Sequence, residues 1–415
     1  MKMSEEESYE FVKNTLKEEG IQPYEPSELE TIHSIEQCIN CGLCINHCPV
    51  VSAVGVDRFA GPRSIAVEFS RTPPEFWCTG DHVYLCTGCG TCREVCPNNV
   101  DIPEIVNIIR ARIFTQRPDL VPDALHAQNA IIHEHNLAFE PWEDIEDKNA
   151  SRDMRLERLN LPFYKERIKK DAKVLFYPGC QAEERAQEVR EAGKIILEYF
   201  DVDYTLLEEL SCCGMPSRLI GDHEQAEILA KLLKEKIDSL GVQAVVTTCA
   251  GCTSNLTSVV NSHGWQLPTY HMLEYLVEEI GLDRIKDAVR QQKQPEEIVV
   301  TVHDPCHLIR HTSRQVMRYA LDILEIMDGV RVDEESAHDS CCGGGGLVAR
   351  HSPDVAKRVV DENVRAISGT EGKRVVTPCP LCTAQIEDNL FRNGIDIDVE
   401  DLSVFIARRL AEKED

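Results

Sequence analysis

Residues 38–49 read CINCGLCINHCP and residues 86–97 read CTGCGTCREVCP. Both follow the spacing C-x-x-C-x-x-C-x-x-x-C-P. Thiolates are soft ligands that select zinc or iron–sulfur clusters. Zinc takes four ligands, usually as two separated pairs, and two unbroken four-cysteine runs suit it poorly. Iron–sulfur chemistry suits them well. In each run three closely spaced thiolates bind one cluster, and the fourth cysteine reaches the other. Cys38, Cys41, Cys44 and Cys96 are therefore expected to hold one 4Fe–4S cubane, and Cys86, Cys89, Cys92 and Cys48 the second. Gly42, Gly88 and Gly90 allow backbone N–H groups to approach sulfur, and Pro49 and Pro97 turn the chain.

Ten further cysteines form two sets: Cys180, Cys212, Cys213, Cys249 and Cys252, then Cys306, Cys341, Cys342, Cys379 and Cys382. Each set has one thiolate more than a cubane uses. Adjacent cysteines on a strand would face opposite ways, but the glycine after each Cys-Cys pair lets the turn curl so that both can face one centre. His303, His307 and His338 flank the second set. Each is a candidate proton donor, or simply a histidine hydrogen-bonded into its turn. His307 and Arg310 could also meet an anionic substrate. Gly343–Gly346 would give close backbone approach, and follows a cysteine pair rather than a strand that could open a nucleotide fold. Cys78 lies outside every motif and reads as a free, partly buried cysteine.

The two sets sit in an internal repeat. Each copy opens on a strand-like run, Val174–Tyr177 and Ile298–Val302, that delivers a lone cysteine. A helix follows, Ala186–Phe200 and Gln315–Met327, then Cys-Cys-Gly. A second helix follows, Gln225–Leu240 and Asp354–Ile367, then VVTTCAGC and VVTPCPLC. The closing helices, HMLEYL from His271 and DLSVFI from Asp401, also correspond. Alternating strands and helices predict mainly parallel sheets, with sites beyond the C-terminal strand ends. Ahead of the repeats, Asp101–Phe114 reads as a helix. The charged stretch Glu143–Arg158 reads as an irregular surface connector. The acidic segment Met1–Gly20 is helical in pattern, with Phe11, Val12 and Leu16 as its apolar stripe.

The N-terminal block resembles the α-helical ferredoxin domain of succinate dehydrogenase and heterodisulfide reductase iron–sulfur subunits. The twice-repeated Cys…Cys-Cys-Gly…Cys-x-x-Cys pattern resembles the cysteine-rich CCG domains of the heterodisulfide reductase catalytic subunit. Chains of the same order also serve as iron–sulfur subunits of glycolate, lactate and glycerol-3-phosphate dehydrogenases. The resemblance implies an α+β multidomain fold: a ferredoxin domain over 1–115, a connector over 116–170, and CCG domains over 171–289 and 290–415. It implies two cubanes and two non-cubane 4Fe–4S clusters facing each other around a disulfide of the coenzyme M–coenzyme B type, in the setting of methanogenesis. The repeat-two cysteines would then be catalytic together with repeat one.

The net charge of −27, from 71 acidic and 44 basic residues, argues against nucleic acid and anionic lipid. It suits solubility or a basic redox partner. The absence of a leader pattern or membrane-span run predicts a cytoplasmic chain, peripheral to a membrane only through a partner protein. Nineteen cysteines in a reducing compartment read as metal ligands rather than disulfides. There is no Rossmann fingerprint, P-loop or evident flavin site. Electrons are expected from another protein of a complex, a b-type cytochrome or a flavoprotein. Two functions remain open at this point: a disulfide reductase subunit, or an electron wire in a flavin-linked dehydrogenase.

Overall fold

The computed structural model describes residues 24–69, 82–260, 267–290, 297–333 and 340–411, with positions 4, 8, 10, 11 and 13–15 of the N-terminal stretch. Most of Met1–Gly20, and Cys78 and His338, lie outside the described residues.

The N-terminal block is helical. Gly42 and Gly90, at φ +77° and +79°, are the N-caps of the short helices Leu43–Asn46 and Thr91–Glu94. Only glycine adopts this backbone freely. Pro49 starts the helix Pro49–Val54 at its first position, where its missing N–H costs nothing. The helix expected after the second motif runs Ile102–Gln116 and is N-capped by the Asp101 carboxylate. Ile105, Ile109 and Ile113 on its inner face are fully buried.

The connector is not irregular. It carries the helices Asp123–His135 and Ile145–Leu159, the second N-capped by Asp144. The helix Ile145–Leu159 is strongly polar, so periodicity gives little signal there. Tertiary partners hold it: Lys148 lies 2.8 Å from Glu183 and 3.0 Å from Glu184, and Arg155 lies 2.7 Å from Glu188.

Each repeat forms a four-stranded parallel sheet. The first comprises β1 (Val174–Phe176), β2 (Tyr204–Thr205), β3 (Ala244–Thr247) and β4 (Thr269–His271), in the order β2-β1-β3-β4. The second comprises β5 (Ile298–Val302), β6 (Val330–Val332), β7 (Arg374–Thr377) and β8 (Asp398–Asp401), in the order β6-β5-β7-β8. The central strands are apolar on both faces and buried, as parallel sheets covered by helices require. The expected helices run Gln187–Tyr199, His223–Asp238, Gln315–Glu325 and Pro353–Ser368.

The repeats interlock reciprocally. The helix Gln187–Tyr199 of repeat one packs on the closing helix Leu402–Ala411 of repeat two, and the closing helix Met272–Tyr275 of repeat one packs on Gln315–Glu325. The arrangement is a pseudo-two-fold.

Candidate functional site

Two small cavities in the N-terminal block collect the motif cysteines. Cys38, Cys41, Cys44 and Cys96 line one. Cys48, Cys86, Cys89 and Cys92 line the other. The fourth cysteine of each run thus sits with the other run's three, because a short helix separates it from its own loop. Burial pushes the Cys92 thiol well up, and Cys86, Cys89 and Cys48 push it further; Cys44 of the other cavity adds to this. Burial likewise raises Cys48. Buried thiols that repel one another cannot all ionise unless cations sit among them, so this donor set fits an iron cluster. The Gly88 N–H points at Cys86 Sγ at 3.4 Å.

In repeat one, β1 delivers Cys180 onto a helical turn and β3 delivers the Cys249–Cys252 loop. Cys212 bridges Cys180 and Cys213, and Cys252 bridges Cys213 and Cys249. The five thiols are therefore one connected set, buried apart from the half-buried Cys249. Gly179, at φ +80°, leaves room for it: a Cβ there would lie 2.7 Å from Cys252 Sγ. Gly214, at φ +92°, curls the Cys-Cys turn, and its N–H lies 3.5 Å from Cys212 Sγ.

Repeat two repeats this geometry. Cys341 receives the Gly343 N–H at 3.4 Å, and Cys382 Sγ lies 3.3 Å from Cys342 Sγ. Burial, then Cys341, Cys342 and Cys89, raise Cys306. Burial and then Cys89 raise Cys341. Cys89 belongs to the second N-terminal motif, so that cavity and the repeat-two set adjoin. Thr87 Oγ1, between Cys86 and Cys89, lies 3.8 Å from Cys341 Sγ.

The glycine run serves this junction. A Cβ on Gly345 or Gly346 would overlap the carbonyl of Thr87 or Cys86. The run admits a neighbouring backbone, not a nucleotide. The repeats also meet symmetrically at their cysteine-bearing segments. Ala250–Asn255 touches Cys306–Ile309, and Gly179–Glu184 touches Pro380–Arg392.

The histidines take distinct places. His307 Nδ1 lies 3.4 Å from Cys306 Sγ, and burial lowers its pKa. His303, 1% exposed, groups with Cys342 and Cys382, their ligand atoms all within 4.8 Å of one another. Arg310 is committed to Glu94 at 2.6 Å. Sequence reasoning missed several participants. His311 stacks on His307 with centroids 5.0 Å apart and bonds the Gly88 carbonyl at 2.8 Å. Asn363 holds His303 from mid-helix. Arg110 donates to the carbonyls of Val83, Cys86 and Leu219. None of these has a local motif; only the fold brings them in.

Family comparison matches residues 34–100 to a 4Fe-4S dicluster domain, and 174–257 and 300–387 to the cysteine-rich domain CCG. Several relatives align over nearly the whole chain. A fumarate reductase (CoM/CoB) component from Methanothermobacter marburgensis is 27% identical over 95% of this chain and 76% of its own. A dihydromethanophenazine:CoB–CoM heterodisulfide reductase component from Methanosarcina acetivorans is 26% identical, over 91% and 94%. A probable glycolate oxidase iron–sulfur subunit of Bacillus subtilis is 22% identical, over 86% and 89%.

Proposed function

We propose that this chain, an iron–sulfur electron-transfer protein with one 4Fe-4S dicluster domain and two CCG domains, related to heterodisulfide reductase and glycolate oxidase iron–sulfur components, reduces a disulfide at its paired five-cysteine sites. The observation that carries this reading is that all ten repeat cysteines are present and gathered into two sets, nine of the thiols buried and Cys249 half-buried, each thiol interacting with others of its set. When bound, iron–sulfur clusters supply single-electron storage. Reduction of a disulfide takes two electrons and two protons and yields two thiols.

The residues divide the work. Cys38, Cys41, Cys44, Cys96, Cys48, Cys86, Cys89 and Cys92 would hold two cubanes within residues 1–115, which when bound would supply the entry point for electrons. Cys180, Cys212, Cys213, Cys249 and Cys252 hold one non-cubane site within 171–289. Cys306, Cys341, Cys342, Cys379 and Cys382 hold the other within 290–415. Nine of the ten repeat thiols are buried, which limits access of water to a disulfide reacting there. His307, beside Cys306, is placed to hold a proton for a leaving thiolate. The electron donor is a separate protein, a b-type cytochrome or a flavoprotein. Among the described residues no helix is long and apolar enough to cross a membrane, so any membrane attachment through these residues would run through that partner.

The likeness to a glycolate oxidase iron–sulfur subunit favours a second reading, in which the repeats only pass electrons to or from a flavoprotein dehydrogenase. Thiol release decides between them. Anaerobically reduced protein with full iron content, mixed with the coenzyme M–coenzyme B heterodisulfide, is expected to release both thiols. Cys342→Ser is expected to abolish release and leave the N-terminal cluster signals intact. No release from fully loaded wild type would leave the electron-wire reading.

A further inference from the structure

The two five-cysteine sites are built on one plan, and among the buried positions at which they differ one pair faces the cysteines. Tyr177 and His303 are equivalent: the Tyr177 N–H bonds the Val246 carbonyl at 2.8 Å, and the His303 N–H bonds the Val376 carbonyl at 3.0 Å. The helix behind each Cys-Cys turn faces this position. Counted from the helix N-caps Asp222 and Ser352, Leu233 of repeat one corresponds to Asn363 of repeat two. Both are fully buried.

In repeat one the phenol's single hydrogen is committed away from the cysteines: Tyr177 Oη donates to the Ser211 carbonyl at 2.7 Å. Tyr177 and Leu233 belong to one apolar cluster with Cys213 and Cys252. In repeat two an imidazole and an amide replace this apolar pair. Asn363 Nδ2 lies 3.0 Å from His303 Nδ1 and 2.6 Å from Ser340 Oγ. With the Asn363 amide oriented so, its nitrogen donates to Nδ1 and the imidazole proton resides on Nε2; Asn363 Oδ1 is itself buried without a hydrogen-bond partner. Nε2 is buried and has no hydrogen-bond partner. Burying such a group costs free energy unless something answers it. The neighbouring groups that could answer it are Cys342 and Cys382, whose sulfurs lie within 4.8 Å of a His303 ring nitrogen and of each other.

We propose that His303, its tautomer fixed by Asn363, donates an Nε2–H···S hydrogen bond to the repeat-two thiolates, and that this makes the repeat-two site the higher-potential member of the pair. A hydrogen bond to ligand sulfur stabilises the more electron-rich form of a cluster and raises its potential. The repeats are thereby unequal: an electron delivered to the CCG pair settles at repeat two. His303 is a positioning and potential-setting residue rather than a proton donor to substrate. This rests on the reading of the ten cysteines as cluster ligands.

The test is a potentiometric titration of the full chain with dithionite, followed by electron paramagnetic resonance, after iron and sulfide analysis. Absence of clusters on the repeat cysteines would overturn the cluster reading and the inference with it. With clusters present, wild type is expected to show two separable CCG midpoints. His303→Tyr is expected to lower only the higher one, by about tenfold in its one-electron equilibrium, which is about 59 mV. Unchanged midpoints in a fully loaded variant would overturn the inference alone. If His303→Tyr loses its cluster, the His307→Gln protein labelled with 15N-histidine decides. Nitrogen hyperfine coupling on one CCG signal supports the bond, and its absence from both signals rejects it.

Discussion

Single side chains at the closing helices show how the repeats trade one cap for another. His271 caps Met272–Tyr275, with Nδ1 accepting the Leu273 N–H at 3.3 Å. Asp401 holds the same place ahead of Leu402–Ala411 and accepts the Ser403 N–H at 2.8 Å. Both are buried. Burial lowers His271 to about 4, against the pull of the Thr248 and Pro378 carbonyls. Burial raises Asp401 to about 7, against its bonds to Ser403. Their effects on stability have opposite signs. The raised acid contributes stability below its unfolded value near 3.8 that is lost as pH climbs towards 7. The depressed histidine contributes stability above 6.5 that is lost as pH falls towards 4. Between pH 5 and 6.5 the two slopes oppose. Urea midpoints of wild type are therefore expected to vary little over that window. Asp401→Asn should uncover a rise with pH of up to about 1.4 kcal/mol per unit. A flat profile in that variant would mean His271 is not held neutral by the fold.

At the scale of elements, the contact between the second N-terminal motif and the repeat-two turn depends on the absence of Cβ atoms. Gly346 has φ +63°, and a Cβ there would overlap the Cys86 carbonyl. Gly394 has a similar φ of +66° with nothing within 4 Å. Comparing alanine at the two sites separates backbone strain from steric conflict. Gly394→Ala is expected to cost about 1–2 kcal/mol from the left-handed backbone alone. Gly346→Ala should cost more, and should slow electron passage from the N-terminal clusters to repeat two by displacing Cys86–Cys89. Thermal unfolding with stopped-flow reoxidation reads both effects. Equal losses at the two sites would show that the junction tolerates the methyl group.

Across the whole molecule, the N-terminal block is not a separate bead. One apolar cluster unites its Ile105, Ile109 and Ile113 with Ile220 and Leu229 of repeat one and Val348 and Val355 of repeat two. Arg110, 1% exposed, stands at the junction and bonds two carbonyls of its own block and Leu219 across the interface. Arg218 meets Glu104 at 2.7 Å nearby, and Ser52 bonds Glu362 at 2.7 Å. Replacing Arg110 with Met would take a donor from three carbonyls, of which Val83 keeps the Cys86 N–H at 3.4 Å; a carbonyl left buried and unpaired costs about 1–3 kcal/mol. The expected outcome is loss of the common unfolding transition. The N-terminal clusters should become labile to chelator while repeat secondary structure persists. Unchanged chelator resistance would show that the apolar contacts alone hold the block in place.

The cysteine spacings and the hydrophobic pattern were enough to define the motifs, the repeat and its alternation of strands and helices, because ligand spacing and period-two or period-3.6 hydrophobicity are local properties of the chain. They also fixed which loops would bear the thiols. The helix Ile145–Leu159 was not legible, since its stabilising partners Glu183, Glu184 and Glu188 lie in two later helices. Nor was the neighbourhood of Cys89 with Cys306 and Cys341, the use of the glycine run as a packing surface, or the exchange of Tyr177 and Leu233 for His303 and Asn363. These are contacts between residues far apart in the chain. They are decided by how sheets, helices and the N-terminal block close on one another, which no local pattern encodes.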